Sequence, residues 1–229
     1  MDFKTLKPLH GWRVFFGEVG VVVLGVLLAL GAQQIAQEIQ ARSDERAFRQ
    51  TIDHEIGLNL FVYDFRARQF NCATMKIAEL QDWLDKARTG AAVPAIHPGQ
   101  PSTITPYRSA WDNRDADVFN HLPGRVRQKY AEFYDELASN WALIEREQQD
   151  WERLWPYAEP GPISLEDRRA IRPTLARIAM WNRSLAANFP LSRKIADELK
   201  VKEAEPDNFP QDFLKQLGEC RSVIAPPGK

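Results

Sequence analysis

Cysteine is scarce in this sequence: Cys72 and Cys220 are the two thiols among 229 residues, and they stand far apart. That excludes a disulfide-stapled miniprotein, a CxxC redox pair and a cysteine-rich zinc site. An excess of either charge is also lacking, with 30 Lys and Arg against 31 Asp and Glu. A strongly basic nucleic-acid binder and a charged disordered chain are thereby excluded. Histidine appears at His10, His54, His97 and His121. His54 and Glu55 begin an HExxH pattern, but Leu58 stands where the second histidine belongs. Asp112, Asp115 and Asp117 are close together, yet Phe119 falls at the fifth position of a calcium loop begun at Asp115, so the cluster reads as a solvated turn. The sequence has no Gly-rich phosphate loop, GxSxG elbow or dinucleotide fingerprint. It predicts a non-enzymatic protein with no catalytic residue, metal or cofactor.

Proline is missing between Pro8 and Pro94 and again from Gly124 to Trp155. Helices tolerate proline badly beyond their first turn, so these gaps mark the long helices. Strand-like alternation bounded by hairpin turns is absent, as is any fixed repeat, and the fold class is read as all-α. An N-terminal transmembrane helix is expected, followed by an up-and-down bundle of three or four helices.

Uncharged residues run unbroken from Val19 to Ala32. At ~1.5 Å per residue this stretch covers about 21 Å of a ~30 Å hydrocarbon core. Extending it to residues 14–36 gives a helix long enough to cross, with Glu18 about one turn inside and Trp12 placed as an interfacial anchor. The segment is apolar on every face, unlike an amphipathic core helix. A cleaved signal peptide is the competing reading, since Lys4, Lys7 and Arg13 precede the run and small residues end it. Cationic residues crowd its N-terminal side while Arg42 is the first beyond it, so residues 1–13 are expected in the cytoplasm and 37–229 outside, across a bacterial inner membrane. Glu18, Gly25, Ala29 and Ala32 share one stripe, with Gly25 and Ala29 spaced for close helix approach; small residues are also simply common in such helices.

Beyond the membrane segment, Phe48, Ile52, Ile56, Tyr63, Phe70, Ile77, Leu80 and Leu84 recur at helical spacing, predicting a continuous or once-bent helix to Arg88, stopped by Gly90. A Pro-, Gly- and Ser-rich loop spans 89–108, and a short helix follows near Ser109 to Leu122. Val126, Tyr130, Phe133, Leu137, Trp141, Ile144, Trp151 and Trp155 then trace one stripe interrupted at Gln148. Ser164 and Asp167 form a capping box opening a helix through Leu185, with Pro173 in its interior. A separate short helix is expected from Leu191 to Lys200, and Phe213 and Leu217 dock the tail. In an exported domain the even cysteine count implies a Cys72–Cys220 disulfide; two unpaired buried thiols are the cytosolic alternative.

The run GEVGVVVLGVLLALGAQQ, Cys72 on a long helix, the phrases YRSAWD and RQKYAEFYDEL, and a cysteine near the C-terminus resemble a set of uncharacterised proteobacterial single-span proteins. The resemblance covers most of the chain. It implies a membrane anchor with an exported all-helical domain and lends no activity or ligand.

Between Arg168 and Lys194 lie seven basic residues and no acid: Arg168, Arg169, Arg172, Arg177, Arg183, Arg193 and Lys194. Neutralisation by Glu145, Glu147, Asp150 and Glu152 on the preceding helix is one reading, and contact with anionic lipid or phosphate the other. The tryptophans Trp141, Trp151, Trp155 and Trp181 read as core. If a pocket or partner surface exists, it is expected where they meet Arg172 and Arg177. The expected function is an envelope interaction or structural role. A ligand-binding sensor module acting through a partner, and a secreted helical protein left by signal cleavage, are the alternatives. Membrane lipid along 14–36 and an envelope protein or second copy are the expected partners, with no nucleic acid.

Overall fold

The computed structural model describes residues 12–224 apart from Ala91, Asn208 and Gly218. The protein is all-helical. Among the described residues β pairing is confined to two isolated bridges, Val93 with Gly161 and Ile96 with Ile224. The chain divides into two compact units, Met1–Arg49 and Gln50–Lys229.

The first unit contains the N-terminal part of helix α1, Trp12–Ala67. Leu, Ala and an absence of proline favour the helix, and the backbone hydrogen bonds close within it. Its large apolar side chains Val21, Leu24, Leu27, Leu28, Leu30, Ile35 and Ile39 are all exposed, Leu28 by 66%. Glu18, Gly25, Ala29 and Ala32 are exposed as well. A methyl group placed on Gly17, Gly20, Gly25 or Gly31 would meet nothing within 4 Å. Polar pairing begins past this stretch, where Arg42 meets Glu38 at 2.6 Å and Gln40 donates to Asp44 at 2.8 Å. By length and composition α1 is long and apolar enough to cross a membrane. Lys4 and Lys7 of the basic start lie outside the described residues, as do the side chains of Trp12 and Arg13.

In the second unit α1 continues to Ala67, the chain turns at Arg68 and Gln69, and α2 runs Phe70–Lys86. A tight turn at Ala87–Thr89 ends on Gly90, whose φ of 77° is left-handed. This is the once-bent arrangement stopped by glycine that the spacing implies. Short helices α3 (Ser109–Asp112) and α4 (Ala116–His121) follow the loop. Asp115 caps α4 by accepting the amides of Asp117 and Val118, which explains the aspartate cluster as a helix start. Helix α5 covers Gly124–Glu152, α6 covers Leu165–Leu199, and α7 covers Gln211–Leu217.

Ser164 and Asp167 form the expected capping box at the start of α6. The separate helix expected from Leu191 does not exist; α6 continues through both Pro173 and Pro190. An interior proline costs ~3 kcal/mol or more. Burial of Phe189, Ile195 and Ala196 on either side of Pro190 opposes that cost. The helix ends at Lys200 in the left-handed region, at φ 64°.

Cross-helix contacts give the helix directions. Tyr130 donates to Asp53, Tyr134 to Glu55 and Asn140 to Tyr63, and Arg66 meets Glu147. Residue numbers rise together on both helices, so α5 runs parallel to the second half of α1. Contacts to α6 run the other way, from Trp181 with Asp150 through Asn188 with Asn140 to Glu198 with Lys129. The long helices thus depart from the expected strict up-and-down alternation. The physical reason is the long connection from Ala87 to Pro123, which carries the chain back before α5 begins. The core at the α2 end gathers Ile77, Leu80, Trp83, Trp151, Leu175 and Ile178.

Candidate functional site

Polar side chains are buried where α1, α2, α5 and α6 meet. Arg66 and Glu147 are 1% and 0% exposed, and Nη2 of Arg66 donates to Oε2 of Glu147 at 2.6 Å. Arg66 is held from its other sides by the Phe70 ring, 4.8 Å from its guanidinium carbon, and by Asn182 Oδ1 at 3.5 Å. Asn182 in turn donates to Thr74 Oγ1 at 3.1 Å and to the Phe70 carbonyl at 3.3 Å. The pair is incompletely satisfied: Nε and Nη1 of Arg66 are buried without a hydrogen-bond partner among the described residues, and the buried Trp151 indole faces Glu147. Burial pushes the Glu147 carboxyl above its ordinary value, with the Arg66 charge opposing it. Each unsatisfied buried group costs on the order of 1–3 kcal/mol. This centre therefore constrains how the four segments pack, and it is sealed from solvent.

Two side chains of α1, and one from the turn that follows it, hold the connection that returns the chain to α5. Glu55 accepts the amides of Ala110 and Trp111 at 2.6 and 3.1 Å, and the Tyr134 hydroxyl at 2.5 Å. Burial, followed by the hydrogen bond to Glu55 and then the Glu55 charge, pushes the Tyr134 hydroxyl far above its ordinary value. Asn59 exchanges two hydrogen bonds with the Tyr107 backbone, at 2.7 and 2.9 Å. Gln69 does the same with Ser102, at 3.0 and 2.8 Å. Trp111 stacks on Tyr134 at 4.4 Å, which gives the YRSAWD phrase its structural role. His54 is exposed beside Glu55, and no group of three metal-ligating residues forms among the described residues.

Cys72 on α2 and Cys220 in the tail are disulfide-bonded, with Cα atoms 5.3 Å apart. Past the bond, Val223 is buried, its amide donates to Glu79 at 2.9 Å, and its carbonyl accepts from His97 at 2.7 Å. Phe213 packs against Phe65 with ring centres 5.6 Å apart, and Leu217 is half-buried.

The tryptophans expected as one cluster are dispersed. Trp151 is fully buried, Trp141 and Trp181 are half-buried, and Trp155 is 54% exposed. Trp155 leaves the stripe because α5 ends at Glu152, so helical spacing no longer governs its direction. Trp181 donates to Asp150 at 3.1 Å, and the same carboxylate takes a forked contact from Arg177 at 2.9 and 3.0 Å. Burial pushes Asp150 upward, but its bonds from Arg177 and Trp181 outweigh that and hold it below its ordinary value. This pair carries the expected neutralisation between α5 and α6. Arg172 departs from it, meeting Asp85 of α2 at 3.1 Å, and Glu147 is taken by Arg66.

Arg172 instead lines a groove of about 470 Å³ with Arg88, Arg168, Arg169, Leu84, Leu165 and Pro173. None of the four tryptophans lines it; Trp181 and Arg177 come together on Asp150 instead, apart from Arg172. Sequence reasoning did not single out Arg66, Asn59 or Gln69, and it gave Glu147 and Glu55 other roles than the buried ones they have. The available signal was position: Glu147 lies three residues after Ile144 and four before Trp151, squarely on the buried stripe. No family model, curated protein or solved structure matches this chain.

Proposed function

We propose that the protein is a non-enzymatic, single-pass membrane protein of the bacterial inner membrane, with an exported helical domain that has an interaction or structural role in the envelope. Residues 14–36 form the uncleaved anchor, residues 1–13 face the cytoplasm, and 37–229 lie outside. The observation that carries this reading is the inverted surface of α1, where every large apolar side chain from Phe15 to Ile39 described as exposed would cost water contact on the order of 25 cal/mol per Å². Lipid relieves that cost over residues 14–36. The Cys72–Cys220 disulfide supports export, because such bonds persist in oxidising compartments. The resemblance to single-span proteobacterial proteins points the same way. The partner in this reading is another envelope protein or a second copy of the chain.

Topology reporters fused at Lys229 test the orientation: periplasmic activity is expected, and exclusively cytoplasmic activity overturns it. N-terminal sequencing of the mature protein is expected to find the intact start; a new terminus near Ala32 would convert the anchor into a removed signal. Alkylation of the unfolded, unreduced chain taken from cells is expected to label neither cysteine. Copurification after mild crosslinking, with wild-type chain carrying two different tags, separates an envelope partner from self-association.

A further inference from the structure

The groove between the end of α2 and the first turns of α6 has four cations on its walls and no carboxylate among its lining residues. This imbalance is local, since the whole chain carries a formal charge of −1. Two of the four arginines are held by protein groups. Arg168 donates to the Ala87 carbonyl at 2.8 Å, and Arg172 meets Asp85 at 3.1 Å, an exposed pair of the kind worth little. Arg88 and Arg169 are exposed and have no acceptor among the described residues. The first-turn amides of α6 are partly taken by the Ser164–Asp167 capping box, so the arginines carry the attraction. Leu84 and Leu165 supply an apolar side to the same groove. A second groove of about 350 Å³ continues from it past Leu84, Arg88 and Arg172 to Leu175 and Ala176, with Gln81 and the Arg172 partner Asp85 on its wall, so the carboxylate-free part is the first groove alone.

We infer that this groove binds a phosphate-bearing anion, gripped by Arg88 and Arg169 and positioned by the fixed guanidinium of Arg168. Planar guanidinium groups match phosphate oxygens in forked pairs, which a scattered set of lysines would not. The volume lies in the ordinary range of small-ligand sites, ~300–1,000 Å³. The aliphatic side of the groove suits a phosphate that carries an alkyl chain. The two sources of this chemistry are a phospholipid headgroup and a free phosphate compound. The inference stands apart from the anchor reading, because every lining residue belongs to the unit Gln50–Lys229.

The test uses the full chain in a maltoside detergent, titrated by calorimetry with pyrophosphate, with dihexanoyl phosphatidylglycerol and with dihexanoyl phosphatidylcholine. Saturable binding of pyrophosphate, phosphatidylglycerol or both is expected, weakening as salt rises. The double variant Arg88→Ala/Arg169→Ala is expected to lose about tenfold or more in affinity, as befits two charge-assisted contacts. Its melting temperature should stay that of the wild type, since neither side chain holds the fold. Arg183→Ala, an exposed arginine of α6 outside the groove, is expected to bind as wild type. Tighter binding of phosphatidylglycerol than of pyrophosphate assigns the headgroup as the source, and the reverse assigns a free phosphate compound. Absence of binding to both, or binding that the double variant leaves unchanged, overturns the inference. Equal binding of the zwitterionic phosphatidylcholine and phosphatidylglycerol, unaffected by salt, also overturns it.

Discussion

The two units of the chain place opposite chemistry against their surroundings. In the first, Leu28 and its apolar neighbours from Phe15 to Ile39 are exposed along α1. In the second, the charged Arg66 and Glu147 are sealed inside while Trp151 and Leu175 fill the core around Ile178. An apolar helix without a packing partner keeps its shape because its hydrogen bonds are internal, while its exposed apolar surface is costly in water. A buried ion pair keeps its place because its neighbours fix it, and so demands a specific fold. The sequence of α1 changes from all-round apolar before Gln33 to one-faced by Ile52.

The sharpest way to break this comparison is to remove one member of the buried pair. Arg66→Ala or Glu147→Ala leaves an uncompensated buried charge, with an expected loss of about 3–5 kcal/mol in urea unfolding. The double replacement Arg66→Met/Glu147→Leu is expected to recover most of that loss. If it is no better than either single change, the pair is doing more than filling space, and its hydrogen bonds to neighbours carry the difference.

Next in size is a contrast between the units. Trp151→Ala, fully buried, is expected to cost about 3–5 kcal/mol. Leu28→Asp should leave unfolding of the second unit within about 0.5 kcal/mol, while weakening partition into bilayers by ~3 kcal/mol. Trp155→Ala should also lie within about 0.5 kcal/mol, because that side chain is solvent-facing. A large Trp155 effect would restore it to the core stripe.

Gly57→Ala probes a smaller, local fit. A methyl group there would stand 2.7 Å from the Lys202 carbonyl oxygen and 3.0 Å from the Ala204 side chain, where the tail crosses α1 and Ala204 donates to the Gly57 carbonyl. The expected cost is about 1–3 kcal/mol, with faster amide exchange at Ala204 as the local readout. An unchanged exchange rate would show that this segment yields without loss.

The smallest effect is expected from pH. Asp150 is held below the ordinary carboxylate range, so its contribution is present above that range and is lost as pH falls through its folded value. Asp150→Asn should lower the melting temperature at pH 7, and the gap to wild type should close in strong acid. A gap that persists there would assign the effect to packing against Trp181 instead of charge.

Much of the architecture was legible because helices announce themselves locally. The proline gaps, the Gly90 stop and the Ser164–Asp167 cap each act within a few residues of chain, so reading them needs no knowledge of what lies opposite. Leu191–Lys200 misled for the complementary reason: Pro190 carries a local break signal, and burial of Phe189 and Ile195 overrides it. Trp155 misled because the stripe was extended past the end of α5. Among the candidate site residues, Arg177 reached the acidic helix as expected and Arg172 did not, a choice between Asp150 and Asp85 that charge counting along the chain cannot make.

By itself the sequence determined the helical class and the apolar start of α1, since each depends on composition or period; the two thiols it left paired or free according to compartment, and the structure joins them. Tertiary structure alone decided that α5 runs parallel to the second half of α1, that Glu55, Asn59 and Gln69 clamp the connection between them, and that Glu147 turns inward to Arg66. It also decided that Arg88, from the turn after α2, joins Arg168 and Arg169 of α6 in one groove. Those facts depend on which surfaces meet after the chain has returned on itself, and a helix period records which face is buried but not what it is buried against.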